Sequence, residues 1–279
     1  MLKKEQYDLF EHNTMRLHCI ADRYYEPESI EEMTELIDQF TAGCTSYYIL
    51  GAGSNVILPP TLSTPVVCTR SVNKQLKIEG NRVECGASVR VQTLIRSCQK
   101  LSLGGMEYLF SVPCNVGGAL YMNAGAGKKR IAQHLESVTA YDPASRSQVT
   151  LKASECEFGY RSSIFQHKDW IILSAVFNLP TMTPDEVDEL IKQRIAFARE
   201  KLDTEKPSAG SVFNSYSSFI MKLLKGKRIG GACYSKKKTN WISNLGTAKY
   251  KDVIRLIRLA EKLHKFLFKK YHLEVIVWK

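Results

Sequence analysis

Apolar residues recur at helical spacing in four places along the chain. Met33, Leu36, Ile37 and Phe40 form one face of a predicted helix that starts at Ile30. Ser29 is placed to cap it, and Glu31 and Glu32 sit at its positive end. Residues 91–98 are helix-like. Residues 185–201 carry Val187, Leu190, Ile191, Ile195 and Ala198 near helical spacing. A longer helix is predicted over 250–271, with Val253, Ile254, Ile257, Leu263, Phe266 and Leu267 turned inward. Strands are expected at 46–50, 56–58, 138–141, 170–177 and 274–278. Residues 76–79 and 82–85 form a hairpin around Gly80-Asn81. Residues 207–218 read as a loop. Three stretches follow, 1–70, 71–182 and 183–279, and their alternation points to mixed α+β domains.

Composition narrows this picture. Hydrophobic residues make up 44% of the 279, yet no run reaches the eighteen or so apolar residues that span a bilayer. No apolar segment follows Lys3-Lys4, so no signal peptide is read and a cytoplasmic protein is expected. The net charge is +11, and cations crowd the chain from Lys222 onward, which suits an anionic partner such as a diphosphate. The eight cysteines form no CxxC pair, so neither a zinc site nor another metal site is expected, and most are read as small core residues.

Four segments carry candidate chemistry. Leu50-Gly51-Ala52-Gly53-Ser54-Asn55 follows a strand, and its successive amides can cradle a diphosphate. A tight turn between strands explains it equally well. It lacks the dinucleotide-binding glycine fingerprint. A second amide-rich region runs through Pro113-Cys114-Asn115-Val116-Gly117-Gly118 and Asn123-Ala124-Gly125. A flat ring system needs such close backbone contact; structural turns are the other explanation. Tyr160-Arg161 can sit at a site mouth, where a guanidinium polarises an anionic oxygen, or can be plain surface. Ser211, in Ser208-Ala209-Gly210-Ser211-Val212-Phe213-Asn214, lacks the elbow and the His/Asp partners of a nucleophile. It is a turn serine or a proton donor.

In their order and spacing these segments resemble the UDP-N-acetylenolpyruvoylglucosamine reductase family. The likeness runs from Asn13-Thr14 to the C-terminal helix and includes Arg228-Ile229-Gly230-Gly231-Ala232 and Asn244-Leu245-Gly246-Thr247-Ala248. It implies a two-part FAD-binding module of the vanillyl-alcohol oxidase type, residues 1–70 and 71–182, with a C-terminal α+β substrate domain over 183–279. Residues 50–56, through Val56, are then expected to hold the FAD diphosphate. Residues 113–118 and 123–125 are expected along the flavin. The implied reaction uses NADPH and FAD to reduce a UDP-sugar enolpyruvyl ether in peptidoglycan precursor synthesis. Arg161 is implied to stabilise the enolate and Ser211 to donate the proton. Tyr160 and Asn214 are implied in substrate binding. The family's C-terminal catalytic glutamate falls on Glu274, or on Trp278 if the chain aligns there without a gap.

The chain departs from the family at His18-Cys19, where two glycines are usual, and at Cys114, where one is. Asn214 follows Phe213 in place of a basic residue, and Lys236-Lys237-Lys238 replaces a segment that carries a histidine. These departures keep alternatives open: a flavoprotein of this fold with another substrate, an anion- or nucleic-acid-binding protein using the basic C-terminal third, or a regulatory protein without catalysis. With the reductase reading no nucleic-acid partner is expected.

Overall fold

A computed structural model describes all 279 residues. They divide into two compact units, each assembled from segments distant in sequence. The first comprises Met1–Lys4, Arg23–Ala52 and Thr64–Ile195. The second comprises Glu5–Asp22, Gly53–Ser63 and Ala196–Lys279. This grouping differs from a division at 70 and 182, because packing and not chain order defines a unit. Part of the N-terminal stretch shares a core with the C-terminal third.

In the first unit, strands Tyr48–Leu50 and Val66–Cys68 run parallel, in register Ile49 to Val67, and Tyr24 pairs with Val66. Helix Ile30–Ala42 covers them. Its cap is the expected one: the Ser29 side chain accepts the Glu32 N–H at 3.2 Å. Met33, Leu36, Ile37 and Phe40 pack with Tyr25, Val67, Tyr141 and Leu173. An antiparallel sheet follows in the order Ser147–Lys152, Leu135–Asp142, Ile171–Asn178, Arg82–Gly86, Leu76–Glu79. The hairpin at Gly80 (φ 56°) and helix Val91–Lys100 form as the sequence predicts. Val187 and Ile191 of helix Pro184–Lys201 join the apolar core of this unit. Arg96 pairs with Asp188 at 3.0 Å.

In the second unit, strands Ser208–Ser211, Trp241–Asn244, Ala232–Tyr234 and Arg228–Ile229 form an antiparallel sheet. Helices Ser218–Leu223 and Tyr250–Phe266 cover a core of Phe213, Ile220, Met221, Leu256, Ile257 and Ala260. Met15, Leu17 and Ile57 enter the same core from far upstream. Strand Val56–Ile57 pairs in parallel with Ile276–Val277. Asn13 is 2% exposed and ties its turn together. Its amide nitrogen donates to the Leu9 and Leu17 carbonyls at 2.8 and 2.9 Å, and its oxygen accepts the Leu17 N–H at 3.0 Å.

Three expectations are corrected here. Residues 207–218 are not a loop; they contain strands Ser208–Ser211 and Phe213–Ser215, recruited by pairing with Trp241–Asn244 and His272–Leu273. The last helix stops at Phe266, because Phe268 turns left-handed (φ 51°) and Lys269 N–H closes onto the His264 carbonyl at 2.8 Å. Phe266, the last helical residue, lies opposite Ile257 and faces outward at 78% exposure, and Leu267 falls beyond the helix end and is exposed. The final strand shortens to Ile276–Val277. The cysteine reading holds: all eight are free and six are buried.

Replacing Asn13 by Ala strands the Leu17 carbonyl and the Leu17 N–H in a buried site, while Leu9 O keeps the His12 N–H. We expect a loss of about 2–4 kcal/mol of unfolding free energy. A denaturation midpoint unchanged from the parent protein would contradict that account.

Candidate functional site

The loop at 51–55 has its carbonyls tied back. Leu50 O accepts Thr69 N–H at 2.9 Å. Arg70 reaches the Gly51 carbonyl through Nε at 3.2 Å and the Ala52 carbonyl through Nη2 at 3.0 Å. Gly53 O accepts Thr14 N–H at 3.0 Å, and Asn55 O accepts Ile276 N–H at 2.9 Å. The N–H groups from Gly51 to Asn55 take no part in these bonds. A backbone with most of its oxygens occupied and its amides to spare attracts an anion. Gly51 adds clearance, since a Cβ there meets nothing within 4 Å. Gly53 is required for another reason. At φ 67° its Cβ would lie 2.0 Å from the His12 carbonyl oxygen. Asn55 also anchors the loop through its side-chain amide, which donates to the Glu274 carbonyl at 3.0 Å.

Pro113 and Gly118 are exposed, whereas Cys114 and Asn115 are buried. Gly117 N–H donates to Ala87 O at 2.9 Å, and a Cβ at Gly117 would come 3.0 Å from that of Ala87. Gly117 therefore lets helix Val116–Tyr121 lie against the 87–89 backbone, while Gly118 opens onto free space. Burial pushes the Cys114 thiol up to about 12. It stays protonated at neutral pH, a small apolar filler where the family has glycine. Asn123 is left-handed (φ 41°) and 4% exposed. Its Nδ2 donates to Gly159 O at 2.8 Å, while its buried Oδ1 has no partner in the protein.

Tyr160 and Arg161 form the tip of a tight turn closed by Gly159 N–H to Ser162 O at 3.0 Å. Arg161 is left-handed (φ 58°). Its Nη2 donates to Gly125 O at 3.0 Å and its Nη1 to Asn123 O at 3.4 Å. The Tyr160–Arg161 turn and the 123–125 segment, read separately in the sequence, thus meet in the first unit.

In the second unit Ser211 is half-buried at the end of its strand, opposite Trp241. Phe213 pairs with Leu273, and Glu274 N–H donates to Val212 O at 2.8 Å. The backbone of Glu274 thereby lies beside the Ser211–Val212 segment. Trp278 is 4% exposed, with its N–H on Ile57 O at 3.1 Å. Asn214, half-buried, lies in strand Phe213–Ser215. Two residues escaped the sequence reading. Arg70 grips the 51–55 loop, and only its place after the short apolar run 66–68 hinted at it. Arg130 packs over Gly125, and the cation triplet 128–130 was its visible sign.

These features fit a bound FAD on three counts. The 51–55 amides are unspent, Gly51 and Gly118 leave space at their Cβ positions, and the Asn123 oxygen is buried without a donor. Comparison with known proteins agrees. A model of an FAD binding domain matches residues 21–150. A model of the C-terminal domain of UDP-N-acetylenolpyruvoylglucosamine reductase matches residues 202–265. The enzyme of that name from Pseudothermotoga lettingae is 31% identical over 275 residues, covering 96% of this chain and 94% of its own. That from Lactococcus lactis subsp. cremoris is 36% identical over 251 residues, covering 86% and 82%. The crystal structure of the reductase from Thermus caldophilus superposes with a TM-score of 0.82 at 25% identity, over 100% of this chain and 98% of that one. A solvent-stable cholesterol oxidase shares the fold over 64% of this chain and 38% of its own, with a TM-score of 0.51 at 15% identity. No helix is long and apolar enough to cross a membrane. Matched from end to end, with the amide-rich segments and the strand-borne serine in place, the chain belongs to the UDP-N-acetylenolpyruvoylglucosamine reductase family.

Proposed function

We propose that this chain reduces the enolpyruvyl ether of a UDP-N-acetylglucosamine to UDP-N-acetylmuramate, with FAD as bound cofactor and NADPH as the source of electrons. The observation that carries this reading is family membership over nearly the whole chain, joined to the unspent amides of 51–55. The reaction belongs to peptidoglycan precursor synthesis, so cell shape and division depend on its product. The compartment proposed is the cytoplasm. Residues 1–70 and 71–182 are proposed as the two parts of the FAD module and 183–279 as the substrate domain.

FAD, when bound, supplies a hydride to the terminal vinyl carbon of the substrate. Its diphosphate is assigned to the backbone of Leu50, Gly51, Ala52, Gly53, Ser54, Asn55 and Val56. Its ring and ribityl chain are assigned to Pro113, Cys114, Asn115, Gly117, Gly118, Asn123, Ala124 and Gly125. The substrate carboxylate is conjugated with the alkene, so negative charge accumulates on it as the vinyl carbon is reduced. Arg161 is assigned to that charge: a planar fork of donors, oriented by the Gly125 and Asn123 carbonyls, needs no rearrangement to meet it. Ser211 delivers the proton to the carbon beside the carboxylate. A serine hydroxyl is a weak acid, so its conjugate base needs support, and Glu274 is proposed for that part of the site. Tyr160 and Asn214 are proposed to bind substrate. The Val212–Glu274 bond favours Glu274, and burial disfavours Trp278, as the family's glutamate.

An anaerobic absorbance trace tests the reaction as two half-steps. NADPH should bleach the FAD-loaded protein, and the UDP-sugar enolpyruvyl ether should restore its colour. A protein that bleaches and stays bleached acts on another acceptor. In the same trace Ser211→Ala should bleach normally and recover about 10²–10⁴ times more slowly. Glu274→Gln should slow the same step, and equal loss in both half-steps would remove either residue from proton delivery. Arg161→Lys should also fail in recovery, because a point charge does not reproduce the guanidinium fork; unaltered recovery would place Arg161 outside the site.

A further inference from the structure

Three consecutive cations, Lys128, Lys129 and Arg130, close the hairpin formed by Gly125–Ala126 and Lys129–Arg130. Gly127, at φ 59°, makes the turn tight. None of the three makes an ion pair within the protein, although the chain has 28 acidic residues to offer. Lys128 is exposed and touches nothing that orients it. The Lys129 ammonium lies 5.9 Å over the Tyr108 ring.

Arg130 is held rigidly by comparison. Its Nη1 donates to the Gly127 and Lys129 carbonyls, both at 2.7 Å. Its guanidinium sits 5.1 Å from the centre of the Tyr160 ring. Its side chain passes so close over Gly125 that a Cβ there would lie 2.7 Å from Cδ and 3.0 Å from Nη1. One terminal nitrogen is thus committed to the hairpin, and no protein acceptor takes the donors of Nε and Nη2. The same Tyr160 ring carries a second guanidinium, that of Arg161, at 5.3 Å. Tyr160 itself is 57% exposed. Two guanidinium groups against one exposed ring repel each other, and the protein supplies Arg130 with no carboxylate to offset this. A multivalent anion with several acceptor oxygens fills that role.

We propose that Arg130, with Lys128 and the exposed Tyr160 ring, forms a binding site for a phosphate group of a nucleotide substrate. This rests on the reductase reading, which brings such groups to the protein on two substrates: NADPH, with a phosphomonoester and a diphosphate, and the UDP-sugar, with a diphosphate. Both present oxygens to the Nε–Nη2 edge of Arg130, and Tyr160 offers a flat face beside them. The ammonium of Lys128 adds long-range attraction without a fixed geometry.

Isothermal titration of the FAD-loaded protein with 2′,5′-ADP and, separately, with UDP tests the site without turnover. Arg130→Gln is the informative variant, since it keeps a polar amide donor while the charge and the fork are gone. It should weaken one or both probes by about tenfold or more, the loss of a charge-assisted bond. Weakening of 2′,5′-ADP alone identifies NADPH as the source of the phosphate, and weakening of UDP alone identifies the UDP-sugar. Lys128→Ala, which removes no structural contact, should weaken the same probe by roughly threefold and flatten its salt dependence. Affinities that ignore both substitutions would overturn the site. If binding responds as expected but the enolpyruvyl ether is not reduced, the reductase reading fails and the phosphate site stands. A working reductase with nucleotide affinities indifferent to Arg130 and Lys128 has the opposite meaning.

Discussion

The passage of Gly53 across the His12–Asn13 backbone is the contact on which the arrangement of the second unit depends. No side chain fits there: a Cβ would sit 2.0 Å from His12 O and 2.9 Å from Asn13 Cα. With glycine in place, Thr14 N–H reaches Gly53 O, and the Thr14 hydroxyl reaches Ser208 O at 2.8 Å. Asn244 in turn holds the Met15 carbonyl at 2.9 Å. The loop, the Asn13–Thr14 turn and the serine-bearing strand are therefore fixed by one run of backbone-directed bonds. Rigid support of this kind is what a site needs when chemistry depends on sub-ångström placement.

Charge in this chain is arranged by tethering as much as by number. Arg70, Arg130 and Arg161 each direct donors to backbone carbonyls. Such bonds orient a guanidinium without neutralising it. At Arg130, which makes no ion pair within the protein, the positive potential stays available to an anion, whereas a carboxylate partner would cancel it. Exposed pairs such as Lys192 with Asp188 are solvent-screened.

Much of this was readable from the sequence where the signal was local. The Ser29 cap, the Gly80-Asn81 hairpin and the amphipathic helix at 91–100 follow from neighbours a few residues apart. The amide-rich loops were legible as glycine clusters, and the family's order of motifs supplied their meaning. Strands Ser208–Ser211 and Phe213–Ser215 were not legible, because their small and polar residues show no alternation and their partners lie 27 or more residues away. Phe266 misled for another reason: it lies within helix Tyr250–Phe266 but on the side opposite Ile257, off the face that carries Val253, Ile257 and Ala260. The link between Asn55 and Glu274 has no sequence signature at all.

That last link also bears on how the chain acquires its structure. Asn55 and Glu274 are separated by 219 residues, and Val56–Ile57 finds its strand partner only in Ile276–Val277. Closing so long a loop costs entropy before any contact rewards it, and such topologies fold slowly. During synthesis residues 5–22 and 53–63 must wait, with Met15, Leu17 and Ile57 unburied, until the segment from 196 onward has been made. The first unit has no comparable delay, since its segments all precede residue 196. The nascent chain thus passes through a stage in which one half is able to pack and the other exposes an apolar surface that chaperones recognise.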